Sequence, residues 1–430
     1  VAGRFQSFVT LTPDRVPTAV PDTRGKRLRL VLVLGAFTAL GPLTIDMYLP
    51  ALPTIGAELQ ASSTIVQLTL TGTLLGLGLG QLIVGPLSDR LGRRMPLLVG
   101  TAVHVLASAL CLIAPTIAVL GGLRVLQGLG AAAGAVIALA MVRDLYTGRA
   151  AATLLSRLIL VMGVSPVIAP TLGGLILEFT SWRGIFALLA VLGLVLIAVA
   201  ARALPESLQP EHRRTEGLLG TLRTYGGLLR DRTFLGLVLV AGLALAAVLA
   251  YVSGASFVFQ EQYHVTQQQF GLIFGSGAIW LIAATQLNPV LLRRFEPRNI
   301  LLGAVIAGSV AGLFLLGIAL LNLDGLIGVL LALWLVLFAV GLALPNAPAV
   351  ALSRHGETAG TAAALLGAVQ FGVGALVSPL VGVLGNNAVG MSTVVAGGLV
   401  LSMLVLVTVV RPWRLDDIEP AAVAVPAVTH

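Results

Sequence analysis

Two ionisable side chains stand inside stretches of sequence that are otherwise apolar. Asp46 lies in Thr44-Ile45-Asp46-Met47-Tyr48-Leu49-Pro50, and Arg124 lies in Leu123-Arg124-Val125-Leu126-Gln127-Gly128. A carboxyl buried beside a cavity can take up and release a proton near working pH, which proton-coupled transport requires. An arginine inside a bilayer span is costly unless it faces protein or water and finds a partner. Counted inward from the same side, the two lie at comparable depth, where they could meet or compete. Asp46 is the one acid well inside any apolar run. Tyr48, Gln127, Tyr251, Phe257, Asn346 and Gln370 also interrupt apolar runs. They are candidates for a central cavity, because aromatic groups with a few polar ones suit a lipophilic, partly polar ligand. His104 reads as a packing residue or an interhelical hydrogen bond.

The elements that would hold these groups follow from composition. Of 430 residues, 57% are hydrophobic and only 10% charged, with a mean hydropathy of +1.00. Soluble domains carry about 25% charged residues, so there is too little charge here to coat a water-facing surface. Apolar runs recur near the roughly 20 residues that cross a bilayer core as a helix. Twelve are counted: 28–56, 63–86, 95–115, 117–142, 154–178, 183–204, 233–258, 270–292, 299–321, 325–351, 359–384 and 388–410. The longest polar break, 205–232, divides them into six-helix halves over 28–204 and 233–410. Residues 1–27 and 411–430 are expected as tails, the first retained rather than cleaved. The fold class expected is an all-α integral membrane bundle.

Arginine and lysine placement sets the orientation. With the N-terminus inside, the inner segments hold Arg24, Lys26, Arg27, Arg29, Arg90, Arg93, Arg94, Arg143, Arg149, Arg157, the central break, Arg293, Arg294, Arg298, Arg354, Arg411 and Arg414. The outer loops hold Arg183 alone. Both termini and the central loop are therefore expected in the cytoplasm. A shift of 205 residues places Gln81 on Gln286 and the break 85–94 on 290–299. Two halves in one orientation are the parallel repeat of many transporters. The net charge of +8 sits in short interhelical segments with little aromatic interleaving, so no nucleic-acid partner is expected. Cys111 has no internal disulfide partner. With no His-Glu-x-x-His and no Gly-x-x-x-x-Gly-Lys-Ser/Thr, and five scattered histidines, an enzyme or ATP-driven pump is not expected. A receptor or channel lacks a visible domain or pore ring.

Three segments narrow the class. Gly85-Pro86-Leu87-Ser88-Asp89-Arg90-Leu91-Gly92-Arg93-Arg94 combines turn-forming glycines with an aspartate that can pair with arginine or cap a helix. It resembles the signature loop of the major facilitator superfamily. That resemblance implies a conformational latch built from Gly85, Asp89, Arg90, Gly92, Arg93 and Arg94, whose charge contacts favour one facing state. In Gly163-Val164-Ser165-Pro166-Val167-Ile168-Ala169-Pro170-Thr171-Leu172-Gly173-Gly174, Pro166, Pro170 and Gly174 share a helix face and suit a kinked, closely packed interface. The pattern, with Gly163 and Gly173, resembles the fifth-span antiporter motif of exporters, with Ala169-Pro170 where Gly-Pro is usual. The segment around Arg124 resembles the fourth-span motif of drug–proton antiporters, which links that arginine to proton transfer; Asp46 and Arg124 are the candidates for proton coupling.

Asp46-Met47-Tyr48-Leu49-Pro50-Ala51-Leu52-Pro53 and Trp182-Arg183-Gly184-Ile185-Phe186 resemble signatures of the Bcr/CflA drug-resistance transporters. That family implies export of a small drug-like compound against protons, without a cofactor, by a monomer in the bacterial inner membrane. Export of an endogenous metabolite, such as an amino acid, sugar or siderophore, is the alternative. Some related antiporters carry a second acid eight residues before the aspartate. Thr38 occupies that position here, so a two-acid scheme does not carry over.

Overall fold

The computed structural model describes residues 24–213, 218–355 and 358–414; most of both expected tails lies outside them. Among the described residues, twelve stretches are long and apolar enough to cross a membrane, from Leu28–Glu58 to Ala388–Arg414. The described residues contain no strand.

The helices are α1 (Arg24–Asp46), α2 (Leu52–Glu58), α3 (Ser63–Leu91), α4 (Arg94–Cys111), α5 (Ile117–Leu145), α6 (Gly148–Phe179), α7 (Arg183–Ala203) and α8 (Leu218–Arg230). They continue with α9 (Arg232–Phe257), α10 (Gln267–Leu291), α11 (Pro297–Leu321), α12 (Gly325–Ser353), α13 (Ala359–Val377), α14 (Leu380–Val383) and α15 (Ala388–Val405). The first span, Leu28–Glu58, is broken. Pro50 has no N–H for the Asp46 carbonyl four residues back, and its ring clashes there. So α1 stops at Asp46, a short 3-10 turn covers Leu49–Ala51, and α2 completes the crossing.

The 205-residue repeat extends over whole spans. It carries Leu28–Glu58 onto Arg232–Gln262, and Thr153–Phe179 onto Ala359–Val383, to within one residue at each end. Many leucines and valines on the bundle's outer surface are exposed, among them Leu106, Val191, Val310 and Leu404. In water such a surface would aggregate; in a bilayer it is the solvated face. Cohesion between these helices comes from close packing of small residues, since lipid tails are as apolar as leucine.

One expectation needs amending. The break at 205–232, read as polar linker, contains α8, which packs on α9 and α13. Tyr225 and Leu228, three residues apart in the sequence, share one face of α8. Tyr225 and Leu228 join the core of the second half.

The two halves meet most closely at the end of the bundle away from the arginine-rich turns. There Gln67 Nε2 donates to Asn386 Oδ1 (2.5 Å) and to the Ser253 carbonyl (3.2 Å). Ser256 Oγ donates to the Leu49 carbonyl at 2.7 Å, and Gln260 Nε2 to the Pro50 carbonyl at 3.3 Å. Toward the basic end the halves part around a vestibule of about 530 Å³.

Candidate functional site

A cavity of about 220 Å³ lies between the halves, midway along the bundle. One face of α1 enters it through Thr38, Pro42, Ile45 and Asp46, a set spaced by one and two helical turns. Spans one, two, four and five line it from the first half, and spans seven, eight, ten and eleven from the second. The repeat thus supplies the same four spans twice. The lining is apolar apart from Asp46, Thr38, Gln81 and Tyr251. Gln81, Ala135 and Met162 also line the vestibule, so the two spaces adjoin.

Asp46 is nearly buried, and among the described residues it has no hydrogen-bond or ion-pair partner. The 205-residue shift places it on Tyr251, and the two face the same cavity from opposite halves.

Arg124 does not meet it. Its guanidinium is fully buried, and Nη1 donates to the Thr44 carbonyl (3.0 Å) and Gln127 Oε1 (2.6 Å). It lies over the Tyr48 ring at 4.4 Å and the Phe186 ring at 5.7 Å, a cation–π arrangement that offsets the missing partners of Nε and Nη2. The reason is helical geometry. Thr44 and Asp46 are two residues apart on α1, about 200° around its axis, so one faces α5 while the other faces the cavity. Thr44 lies in the last turn of α1, where carbonyls lack helical donors, and Arg124 supplies one.

The polar residues expected to line the cavity divide accordingly. Tyr251 lines it. Tyr48 is turned into the first half, bonded to Thr69 Oγ1 at 2.9 Å and packed on Phe186 at 5.6 Å. Gln127 is buried one turn nearer the far end than Ala131, and its Nε2 donates to Ser108 Oγ at 2.8 Å. Phe257 is buried at the far-end closure. Asn346 donates to Asn288 Oδ1 at 2.7 Å within the second half, and Gln370 is half-buried outside the lining. His104 Nδ1 pairs with the Gln127 carbonyl at 3.2 Å, an interhelical bond. Gln81 and Phe274 line the cavity unforeseen. Gln81 was already marked by its repeat partner, but hydropathy gives Phe274 no signal.

The latch segment forms a charge cluster at the basic end. Arg93 donates to Asp89 Oδ1 (2.5 Å), Ser88 Oγ (2.8 Å) and Asp144 Oδ2 (2.8 Å). Arg94 donates to the Ala201 carbonyl, while Arg90 is exposed. A Cβ on Gly85 would stand 4.0 Å from Ala364 Cβ of the other half, in ordinary contact, and both residues line the vestibule. Glu206, just after α7, accepts from the amides of Arg93 (2.7 Å) and Arg94 (3.1 Å). It thereby caps α4 from another span, where a carboxylate also suits the helix dipole. Gly92 has φ +96°, and a Cβ there would stand 2.6 Å from the Glu206 carboxylate. The ion pairs of Arg93 with Asp89 and Asp144 join elements of the first half. Within the first half, Arg93 ties Asp89 of α3 to Asp144 of α5, and Arg94 reaches back to α7.

Burial works against the Glu206 charge, but the amides of Arg93, Leu208 and Arg94 and the Arg213 guanidinium hold its carboxyl below the ordinary value of 4.5. A depressed carboxyl contributes stability above its unfolded value and loses it as pH falls through the folded one. Glu206→Gln is therefore expected to melt below wild type at pH 7 in detergent, with the gap closing below about pH 4.5. An equal gap at every pH would remove this role.

In α6, Pro166 lines the cavity and Pro170 is buried. A Cβ on Gly173 would stand 2.2 Å from the Met47 carbonyl oxygen, and one on Gly174 would stand 2.8 Å from the Gln267 carbonyl. One side of the motif thus carries the broken first span and the other crosses to α10. At Gly163 a Cβ would sit 3.5 Å from Ile282 Cγ1, in ordinary contact. Gly173→Ala is expected to cost ~1–3 kcal/mol through backbone displacement, and Gly163→Ala close to nothing. Equal melting temperatures for the two variants would contradict the assigned crossing.

A helical bundle of twelve spans in two repeated halves around one cavity is a membrane transporter's architecture. The chain belongs to the Major Facilitator Superfamily, whose family model matches residues 32–379. It is 38% identical to an uncharacterised MFS-type transporter, YdgK, of Bacillus subtilis, over 86% of this chain and 93% of that one. It is 32% identical to a bicyclomycin resistance protein homologue of Haemophilus influenzae, over 82% and 88%. A chloramphenicol resistance protein of Pseudomonas aeruginosa is 33% identical over 81% and 84%. Among solved structures, a D-xylose–proton symporter shares the fold with a TM-score of 0.72 at 15% identity, over 90% of this chain and 98% of that one.

Proposed function

We propose that this protein exports a small, drug-like organic molecule in exchange for protons, alternately exposing its central cavity to the two sides of a bacterial inner membrane. The observation that carries the reading is the Asp46 carboxyl, without a hydrogen-bond or ion-pair partner among the described residues, on the wall of a mostly apolar cavity between the halves. Two relatives named for antibiotic resistance support the drug class. The arginine distribution supports a cytoplasmic basic end with both termini inside, and with that orientation the open vestibule is the cytoplasmic entrance.

Substrate enters from the vestibule and binds beside the charged Asp46. The halves rock, carrying the site to the far side, where a proton neutralises Asp46 and weakens its hold on the substrate. The neutral site returns more easily than a charged one, which is costly in an apolar cavity, and the proton leaves inside. Each unit of pH difference supplies about 1.4 kcal/mol per proton. Arg124 acts as a positioning residue, holding the end of α1 so that Asp46 faces the cavity. The Arg93 cluster and the contact of Gly173 with span one keep the first half rigid while it rocks, and Gly174 packs where α6 crosses α10. The working unit is a monomer, since one chain encloses the cavity.

Everted membrane vesicles with an acidified lumen and a pH dye, offered a panel of antibiotics, test this reading. Substrate-dependent loss of the acid gradient is expected. No response across the panel, with the protein shown folded and inserted, would contradict drug–proton exchange and favour a dedicated metabolite exporter.

A further inference from the structure

We propose that Tyr251 and Phe274 form the specificity-determining wall of the cavity, and that the substrate is a non-anionic compound carrying a flat aromatic ring and a hydroxyl or amine donor. The inference rests on the reading of the cavity as the substrate site. The two rings stack at 5.1 Å with their planes 14° apart, and both line the cavity. The first half's α5 contributes Ala131, Ala132 and Ala135 to the same lining. Large aromatic surface from one half and small aliphatic surface from the other leave space for a planar group beside the aromatic pair.

The polar side of the site is equally particular. Asp46 is the one charged side chain among the lining residues, and its carboxylate has no partner among the described residues. It is an acceptor awaiting a donor, and it repels a carboxylate or phosphate. An apolar cavity with a few convergent polar groups orients a ligand by those groups and holds it by its body. The repeat sharpens this: Asp46 and Tyr251 are equivalent positions of the two halves. A substrate touching both reports the relation of the halves directly, which rocking requires of its ligand. The pair also continues away from the cavity, with Phe270 at 5.7 Å from Phe274 and Phe259 at 6.3 Å from Phe270. Those deeper rings fix the wall's orientation before any ligand arrives.

The test uses the purified full chain in detergent and two probes matched in their donors. These are chloramphenicol, which has a nitrophenyl ring, and an analogue with cyclohexyl in place of that ring. Titration calorimetry is expected to show chloramphenicol binding about five- to tenfold more tightly, the scale of one aromatic pair contact. Phe274→Leu, which keeps apolar bulk, is expected to erase that preference by weakening chloramphenicol alone, and Phe274→Tyr to restore it. Equal binding of the two probes by wild type, a preference surviving Phe274→Leu, or binding of neither would overturn the proposal. Should Phe274→Leu fail to fold, the wild-type comparison of the two probes decides. A ring preference without any proton-driven transport in vesicles would sink the export reading while leaving this one standing.

Discussion

Replacing Asp46 by Asn is expected to abolish pH-driven accumulation of substrate while leaving the protein folded and inserted. Asn keeps the shape and hydrogen-bonding capacity of the side chain but cannot exchange a proton near neutral pH. Wild-type affinity for substrate should therefore change with pH, by up to tenfold per unit where Asp46 titrates, and the variant's should not. Other acids are poor substitutes. Asp89 and Asp144 line the vestibule but are bound by Arg93, and Glu58 is paired with Arg183 at the far end. Asp144→Asn serves as the contrast, expected to lower stability and keep coupling. A pH-driven gradient sustained by Asp46→Asn would place the coupling proton elsewhere.

The second large effect is expected at Arg124. Arg124→Ala leaves the Thr44 carbonyl and Gln127 Oε1 without their donor, at about 1–3 kcal/mol for each acceptor left empty in the interior. No opposing charge is stranded, because the guanidinium is held by neutral acceptors and rings, so the protein should still insert and fold. What fails is the alignment of the broken first span. Transport is expected to fall near background, and the pH profile of residual substrate binding to shift, since Asp46 loses its fixed orientation. Arg124→Lys should rescue poorly, because one ammonium cannot reproduce the planar fork over the Tyr48 ring. A transport rate and pH profile equal to wild type in Arg124→Ala would remove the residue from the mechanism.

Much of the fold was legible because the bilayer imposes it. Span lengths follow from membrane thickness, and the twelve apolar runs agree with the helices to within several residues. The break at Pro50 was not foreseen, because residues 28–56 read as one apolar run. The site was less legible, and for a physical reason. In a soluble helix the apolar stripe marks the interior, but in a membrane both the lipid-facing and the protein-facing sides are apolar. Nothing in composition therefore says that Tyr48 and Gln127 turn toward Arg124 while Gln81 and Phe274 turn toward the cavity. The signature residues Tyr48, Arg124, Trp182 and Phe186 converge on one packing cluster of the first half, which spacing along the chain cannot show. A usable signal was the repeat itself. Extended from Gln81 to the first and seventh spans, it pairs Asp46 with Tyr251.

The most direct test of proton-coupled export is proton counting in liposomes holding the purified protein, with a pH gradient imposed and chloramphenicol as probe. Chloramphenicol should move against its own gradient while protons move the opposite way, with both fluxes absent in Asp46→Asn. Chloramphenicol that merely equilibrates, with no accompanying proton flux in the wild-type protein, would contradict the account.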